Sequence, residues 1–496
     1  MSVQKVVRGG LWLYIDTILT CSIGYIYWLI ISRIGGASIV GYASTTISLA
    51  NILRTIALLG IPIGLQRFIG KTFGKKNYSE LKSYFVSSLA FSTITLASTC
   101  ILIYLLLQPL HNITHLDNIY IILAIFLLLF TGINLTLKNF LISIIYITSI
   151  LIADIIANSI RLFLGVLLVL KGWGGVGATA GYVFSALTST ILLSFYSTRI
   201  LRKFGEDKTK ITFKFISDVL KAGFASWLPQ VITIIGTQVA VLAVFGFRGA
   251  AEAGIYYVAQ AILGIVLALP TSLLGLLFPV LSSMNEGRKK ATWKTIRISL
   301  ATSVPIAIVA IIYSKFILGL LGQEFTAGWL ILSILCLSIP LACIVQGVTS
   351  LTYAMGLYSM VLTIGLVMST TRVTLYFLLV PIWGGIGASI SFFAGFFTGF
   401  FATIYIAHRV KFEINWKSFI TITLIPSLIG LPVYLSNLPF YLGIPIILLG
   451  TTITYARLHL VTREDLSIIA RAILPQELVE QVIPKVDPIL KILFGE

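Results

Sequence analysis

Six ionisable side chains lie within long stretches of the sequence that are otherwise apolar. They are Asp16, Arg54, Lys138, Asp154, Arg161 and Arg372. A charge at the centre of a bilayer costs about 2.5–3.5 kcal/mol on insertion scales, so such residues face a partner or a water-filled cavity. These six residues are therefore the candidates for binding and for ion coupling.

Arg161 and Arg372 fall near the middle of their apolar stretches. An arginine stays charged and binds phosphate oxygens through paired N–H donors. We expect both arginines, with Arg54 and Lys138, to bind an anionic substrate, because basic residues outnumber acidic ones inside the stretches. The alternative is that the arginines donate to backbone carbonyls or other polar groups.

Lys138 and Asp154 lie at matching depths in adjacent apolar stretches, which predicts a structural ion pair between neighbouring helices. Asp16 lies at a shallower depth. It could reach the membrane surface, pair with Arg54, or act with Asp154 as a site for a coupling ion. We expect no metal, no cofactor and no enzyme activity, because the sequence has no P-loop and its cysteines are isolated.

The composition predicts that helices crossing a membrane position these residues. Hydrophobic residues make up 58% of the 496 residues and charged residues 10%, against about 25% charged in a typical soluble domain. A bilayer core needs about 20 helical residues, and this length gives fourteen candidate spans. They lie near residues 10–32, 39–65, 83–108, 118–145, 149–171, 175–198, 218–246, 253–281, 298–319, 328–354, 358–380, 385–407, 418–435 and 440–456.

The net charge of +18 follows from the membrane topology. Most lysines and arginines fall in loops on one side of the predicted spans, and the opposite loops hold Arg33, Lys171, Arg248 and Lys315. The positive-inside rule therefore places both termini in the cytoplasm. We expect a multi-pass protein of the cell membrane that contacts membrane lipids and does not bind nucleic acid.

Two motifs repeat along the chain. Residues 173–178 and 383–388 share the pattern Trp-Gly-Gly-x-Gly-Ala, and each follows an arginine within a span by eleven or twelve residues. Gly36 and Gly41 recur as Gly249 and Gly254. Six spans per repeat give two parallel lobes, an arrangement typical of alternating access.

The repeat predicts four segments. An N-lobe covers residues 1–203 and a C-lobe covers 204–411. Two extra spans follow in 412–460. An amphipathic cytoplasmic tail covers 461–496.

Several short segments follow one another along the chain. They are Gly9-Gly10, Ile34-Gly35-Gly36 to Gly41-Tyr42, Leu59-Gly60-Ile61-Pro62, Leu137-Lys138-Asn139-Phe140 and the repeated Trp-Gly-Gly-x-Gly-Ala. These segments and their order resemble the polysaccharide-exporter branch of the multidrug/oligosaccharidyl-lipid/polysaccharide (MOP) flippase superfamily, which includes O-antigen-type oligosaccharide flippases.

The resemblance implies two lobes around a central cavity and alternating access. It implies a cargo of polyprenyl- or dolichyl-(pyro)phosphate-linked oligosaccharide, moved to the outer leaflet for cell-surface polysaccharide or glycoprotein assembly. Glycan-assembly enzymes are the other partners that we expect. The main alternative is a cation-coupled multidrug exporter of the same superfamily. A membrane glycosyltransferase is disfavoured, because the predicted outer loops are short.

Overall fold

The computed structural model describes residues 3–204, 212–284 and 286–460, and the predicted tail lies outside them. These residues form helices and contain no strand. The helices are α1 (Val3–Ala57), α2 (Ile61–Gly74), α3 (Tyr78–Leu105), α4 (Leu107–Thr114), α5 (Asn118–Ser143), α6 (Ile147–Leu168), α7 (Gly174–Lys203), α8 (Phe213–Arg248), α9 (Ala250–Ser283), α10 (Arg288–Ile312), α11 (Ser314–Gly319), α12 (Trp329–Leu337), α13 (Ile339–Ala354), α14 (Tyr358–Arg409), α15 (Trp416–Leu435) and α16 (Phe440–Arg457).

Eleven helical segments in the described residues are long and apolar enough to cross a membrane. Three of them, Leu19–Ala57, Ile147–Lys203 and Tyr358–Arg409, contain 39, 57 and 52 residues, and two crossings need about 40. Each segment is therefore long enough for two crossings. Each is also bent at a glycine. The prediction of an all-α membrane protein is confirmed, and the helices are consistent with fourteen crossings.

The repeated glycines adopt the same unusual backbone conformations. Gly174 has φ 52° and ψ −132°, and Gly384 has φ 55° and ψ −132°. Gly36 has φ 70° and ψ −175°, and Gly249 has φ 89° and ψ 178°. Residues other than glycine rarely adopt these backbone conformations, because their Cβ atom is in steric conflict with the backbone. The motifs found in the sequence therefore mark two pairs of equivalent bends.

Prolines mark the start of a new helix within two of the predicted spans. The second predicted span, 39–65, ends earlier, because Pro62 occupies the first turn of a separate helix, α2. The tenth predicted span, 328–354, is divided between α12 and α13, where Pro340 lies in the first turn of α13. Proline lacks an N–H donor and is favoured in the first turn of a helix, where that N–H would have no partner within the helix.

The chain folds into two compact units. The first comprises Met1–Tyr257 with Tyr376–Gly385, and the second comprises Val258–Leu375 with Ile386–Glu496. In the first unit, α6 and α7 pack on α1 and α5; in the second, α10 packs on α12, α13 and α15. The sequence-based boundary at 203/204 is a different division, and the six-helix lobes stay a prediction.

Candidate functional site

Arg161 lies on α6 in a cluster of aromatic side chains. It is 8% exposed. Its guanidinium carbon lies 4.7 Å from the ring centre of Tyr182 and 5.3 Å from that of Tyr27. Trp28 packs against both tyrosines. Such cation–π contacts stabilise a desolvated cation by about 2 kcal/mol.

Two nitrogen atoms of Arg161, Nε and Nη2, are buried and have no hydrogen-bond partner in the part of the chain that the structure describes. The aromatic rings contact the faces of the guanidinium, whereas hydrogen bonds form at its edges. Leaving buried charged donors unpaired costs free energy. These atoms are therefore a candidate binding point for the oxygens of an anion, and the alternative of backbone-carbonyl partners is not observed for them.

Small residues on α6 and α7 make room for this cluster. Tyr27 donates a 2.6 Å hydrogen bond from its hydroxyl to the Ala178 carbonyl oxygen. A Cβ atom at Gly165 would lie 2.6 Å from that hydroxyl, and one at Gly181 would lie 2.8 Å from the Gly165 Cα atom. The glycines therefore allow α1, α6 and α7 to meet beside Arg161.

Arg372 has an equivalent aromatic environment on α14. It is 1% exposed, and its guanidinium carbon lies 4.2 Å from the ring centre of Phe392 and 4.4 Å from that of Phe396. A Cβ atom at Gly395 would overlap the Arg372 side chain. The aromatic partners Tyr182 and Phe392 each follow the repeated tryptophan by nine residues, a signal that the sequence-based prediction missed.

Lys138, Asp154 and Asp16 form a second cluster. The predicted ion pair is confirmed, with Lys138 Nζ 2.6 Å from Asp154 Oδ2. Ser189 donates a 3.2 Å hydrogen bond to Asp154 Oδ1 and accepts one of 2.6 Å from Asn134. The Asp16 carboxyl lies against Asp154 and within electrostatic range of Lys138.

Asp16 Oδ1 is buried and has no hydrogen-bond partner among the described residues. Two adjacent carboxylates repel each other unless a proton or cation lies between them. Lys138 supplies one positive charge for both. The arrangement can therefore take up one further proton or monovalent cation.

Arg54 stands apart from this cluster. It lies near the C-terminal end of α1, and its Nε atom is buried without a hydrogen-bond partner among the described residues. Asp16 lies beside Asp154, and no ion pair joins Asp16 to Arg54. Of the six predicted site residues, the structure thus brings together Asp16, Lys138 and Asp154.

Glu252 makes a further, partly buried interaction that the sequence did not indicate. Its Oε1 atom accepts a 2.8 Å hydrogen bond from the Gly385 backbone N–H, and Arg248 donates to the Ile382 carbonyl oxygen. These contacts hold the bend at Gly384. Among the described residues there is no group of three or more acidic, histidine or cysteine side chains that could hold a metal ion.

Backbone-to-backbone contacts join the two repeats at one end of the spans, the predicted outer end. A Cβ atom at Gly41 would overlap the Ala250 carbonyl oxygen, and one at Gly254 would overlap the Ala37 carbonyl oxygen. The two contacts are related by the same offset of 213 residues. The repeated glycines thus form one symmetric contact.

A second close contact lies at the predicted inner end. A Cβ atom at Gly223 on α8 would overlap the Gly60 carbonyl oxygen. Trp227 donates a 2.8 Å hydrogen bond from Nε1 to the Thr55 carbonyl oxygen. The N-terminal part of α8 and the start of α9 are therefore closely packed against the first repeat.

A family comparison identifies the chain. Residues 6–285, more than half of its length, match the model of the polysaccharide biosynthesis protein family. The chain belongs to this family. The branch of the MOP flippase superfamily predicted from the motifs is therefore confirmed. A comparison with curated proteins gives no match.

Solved structures show the same fold. One described as "Lipid II flippase MurJ, inward closed conformation" has a TM-score of 0.73 and 17% identity, covering 90% of this chain and 99% of that one. An inward-facing multidrug resistance MATE family transporter of the MOP superfamily has a TM-score of 0.63 and 16% identity, covering 81% and 99%. A MOP superfamily transporter from Pyrococcus furiosus has a TM-score of 0.52 and 15% identity, covering 82% and 96%. This polysaccharide biosynthesis family member is a multi-span membrane protein with the fold of the MOP flippases and transporters.

Proposed function

We propose that this protein flips an oligosaccharide linked to a polyprenyl or dolichyl (pyro)phosphate from the cytoplasmic to the outer leaflet of the cell membrane. The match to the polysaccharide biosynthesis family carries the proposal. The fold shared with a structure described as a lipid II flippase supports a lipid-linked cargo. The protein transports its cargo and performs no covalent chemistry.

Arg161 binds the anionic part of the cargo in this proposal. Its guanidinium faces are held by aromatic rings, and two buried N–H donors are open to an anion. The rings fix the side chain before the cargo arrives, which lowers the entropic cost of binding. Arg372, in the equivalent environment, provides a second positive charge, and Arg54 and Lys138 add to the positive potential.

Alternating access uses the two close contacts that the N-terminal part of α8 and the start of α9 make with the first repeat. We assign the contact at Gly41 and Gly254 to an outer gate and the contact at Gly60 and Gly223 to an inner gate. The six-helix lobes at 1–203 and 204–411 move against each other, and residues 412–460 add two spans. With both termini in the cytoplasm, cargo enters at the inner gate and leaves at the outer gate.

The Asp16–Asp154–Lys138 cluster is the site of ion coupling in this proposal. Loading and release of one proton or monovalent cation changes its net charge between α1, α5 and α6. A change of charge in a buried cluster alters the packing that those helices prefer. The same cluster favours the second candidate function, a cation-coupled multidrug exporter.

Proteoliposomes distinguish the two functions. Purified protein is reconstituted with a polyprenyl-pyrophosphate-linked oligosaccharide, and flipping is measured as access of the glycan to an impermeant glycan-modifying enzyme. A hydrogen bond to a charged group contributes about 1.5–3 kcal/mol, so Arg161→Met is expected to slow flipping roughly 10- to 100-fold. Arg199→Met, at an exposed arginine near the end of α7, is the matched control.

Each result decides one element of the proposal. Normal flipping by a folded Arg161→Met variant would remove Arg161 from the site and leave the flippase standing. A wild type that moves no lipid-linked glycan but exports a cationic dye under an ion gradient would replace the flippase with the multidrug exporter.

A further inference from the structure

A groove of about 660 Å³ lies in the second unit, between α10, α11, α12 and α15. Its volume falls within the range of about 300–1,000 Å³ for ligand sites. Two of its lining residues, Tyr313 and Val433, belong to a small core with Val309 and Ile447. The Tyr313 hydroxyl donates a 3.0 Å hydrogen bond to the Leu438 carbonyl oxygen, which links the end of α10 to the loop after α15.

The walls of this groove face outward from the protein. Trp329, Leu431 and Tyr434 line it and are 41%, 55% and 59% exposed. They lie on helical segments long enough to cross a bilayer, so their exposed apolar surfaces contact lipid. The groove therefore opens laterally into the membrane, where the surrounding molecules are lipids.

One end of the groove carries a positive charge. Lys315 is exposed and is the single charged residue among those that line the groove. Its ammonium nitrogen lies 5.3 Å from the ring centre of Trp329. Lysine and tryptophan together are typical of the membrane interface, where the ring lies at the level of the headgroups. Ser314 and Asn437 provide polar groups in the same groove.

We infer that this groove binds an anionic phospholipid of the predicted outer leaflet, with an acyl chain in the apolar groove and the headgroup phosphate at Lys315. The apolar walls suit the chain. The lone ammonium, with no acidic side chain among the lining residues, favours a headgroup with net negative charge over a zwitterionic one.

This lipid site shares no residue with the proposed cargo site. The residues that line the groove include neither Arg161 nor Arg372, and none of the Asp16–Asp154–Lys138 cluster. It needs no lipid-linked sugar, so it can be tested whether or not the protein is a flippase. A lipid bound here would bridge α10 and α15 on the membrane side.

Photo-crosslinking in nanodiscs tests the inference. The full chain is reconstituted in phosphatidylcholine with a trace of phosphatidylglycerol that carries a diazirine on its acyl chain. A phosphatidylcholine probe with the same chain is the lipid control, and labelled peptides are mapped by mass spectrometry. Lys315→Gln removes the charge, and Lys171→Gln, an exposed lysine on the same predicted side, is the matched protein control.

We expect the anionic probe to label segments 308–316 and 427–438 about five-fold more than the zwitterionic probe, from the attraction of one lysine to an anionic headgroup. Lys315→Gln should remove this excess, and Lys171→Gln should keep it. Equal labelling by both probes, or full labelling of Lys315→Gln, would overturn the inference. So would loss of labelling when an equal amount of polyprenyl phosphate is added, because the groove would then serve the cargo lipid.

Discussion

Replacement of Lys138 by methionine tests how the buried carboxyl groups are held. The Lys138 ammonium lies 2.6 Å from Asp154 Oδ2, and the Asp154 side chain is 8% exposed. Removing one partner of a buried ion pair costs about 3–5 kcal/mol, because the other charge is left uncompensated. Lys138 is 28% exposed, and water reaches part of the pair. We therefore expect Lys138→Met to lower the free energy of unfolding by about 3 kcal/mol.

Unfolding by SDS from mixed micelles measures this loss in a double-mutant cycle. Asp154→Asn alone removes the carboxylate that lies 2.6 Å from Lys138, whereas the double variant removes both charges and should recover about 2 kcal/mol of the summed losses. Asp16→Asn should also recover part of the loss in the Lys138→Met protein, because it removes the adjacent carboxylate. Lys71→Met, at an exposed lysine on α2, should change the free energy of unfolding by less than about 0.5 kcal/mol.

Two outcomes would refute this reasoning. Losses that simply add in the double variant would mean that Lys138 and Asp154 do not depend on each other. A Lys138→Met protein as stable as wild type would mean that the Asp16–Asp154 pair needs no cation beside it. Either result would also remove the basis for assigning ion coupling to this cluster.

Three further substitutions have expected outcomes. Gly41→Ala should slow flipping in proteoliposomes at least ten-fold, because its Cβ atom overlaps a facing carbonyl oxygen, whereas Gly74→Ala, whose Cβ atom meets nothing within 4 Å, should flip normally. Gly384→Ala should destabilise the protein to SDS by about 1–3 kcal/mol, since its φ of 55° is unfavourable for alanine; wild-type stability would contradict this. Tyr182→Leu should cost about 1–2 kcal/mol through the lost contact with Arg161, and an unchanged unfolding free energy would count against that contact.

Much of the fold was predictable because the bilayer imposes strong local rules. Each span needs a continuous apolar run, so the sequence predicted the helical segments without tertiary information. The glycines at 36, 174, 249 and 384 were recognised as a repeat, and each one adopts the conformation of its equivalent. The pairing of Lys138 with Asp154 followed from depth alone, because two opposite charges in an apolar medium have few other partners.

The sequence alone also determined the family and the membrane class, since composition, glycine motifs and their order are read directly along the chain. Beyond the Lys138–Asp154 pair, only the tertiary structure decided which side chains meet. It placed Asp16 beside Asp154 and not beside Arg54, surrounded Arg161 with aromatic rings, and brought Lys315 to a lipid-facing groove. Depth in the membrane is a one-dimensional property that a sequence records. The rotation of each helix about its axis and its choice of neighbours depend on packing between residues far apart in the chain.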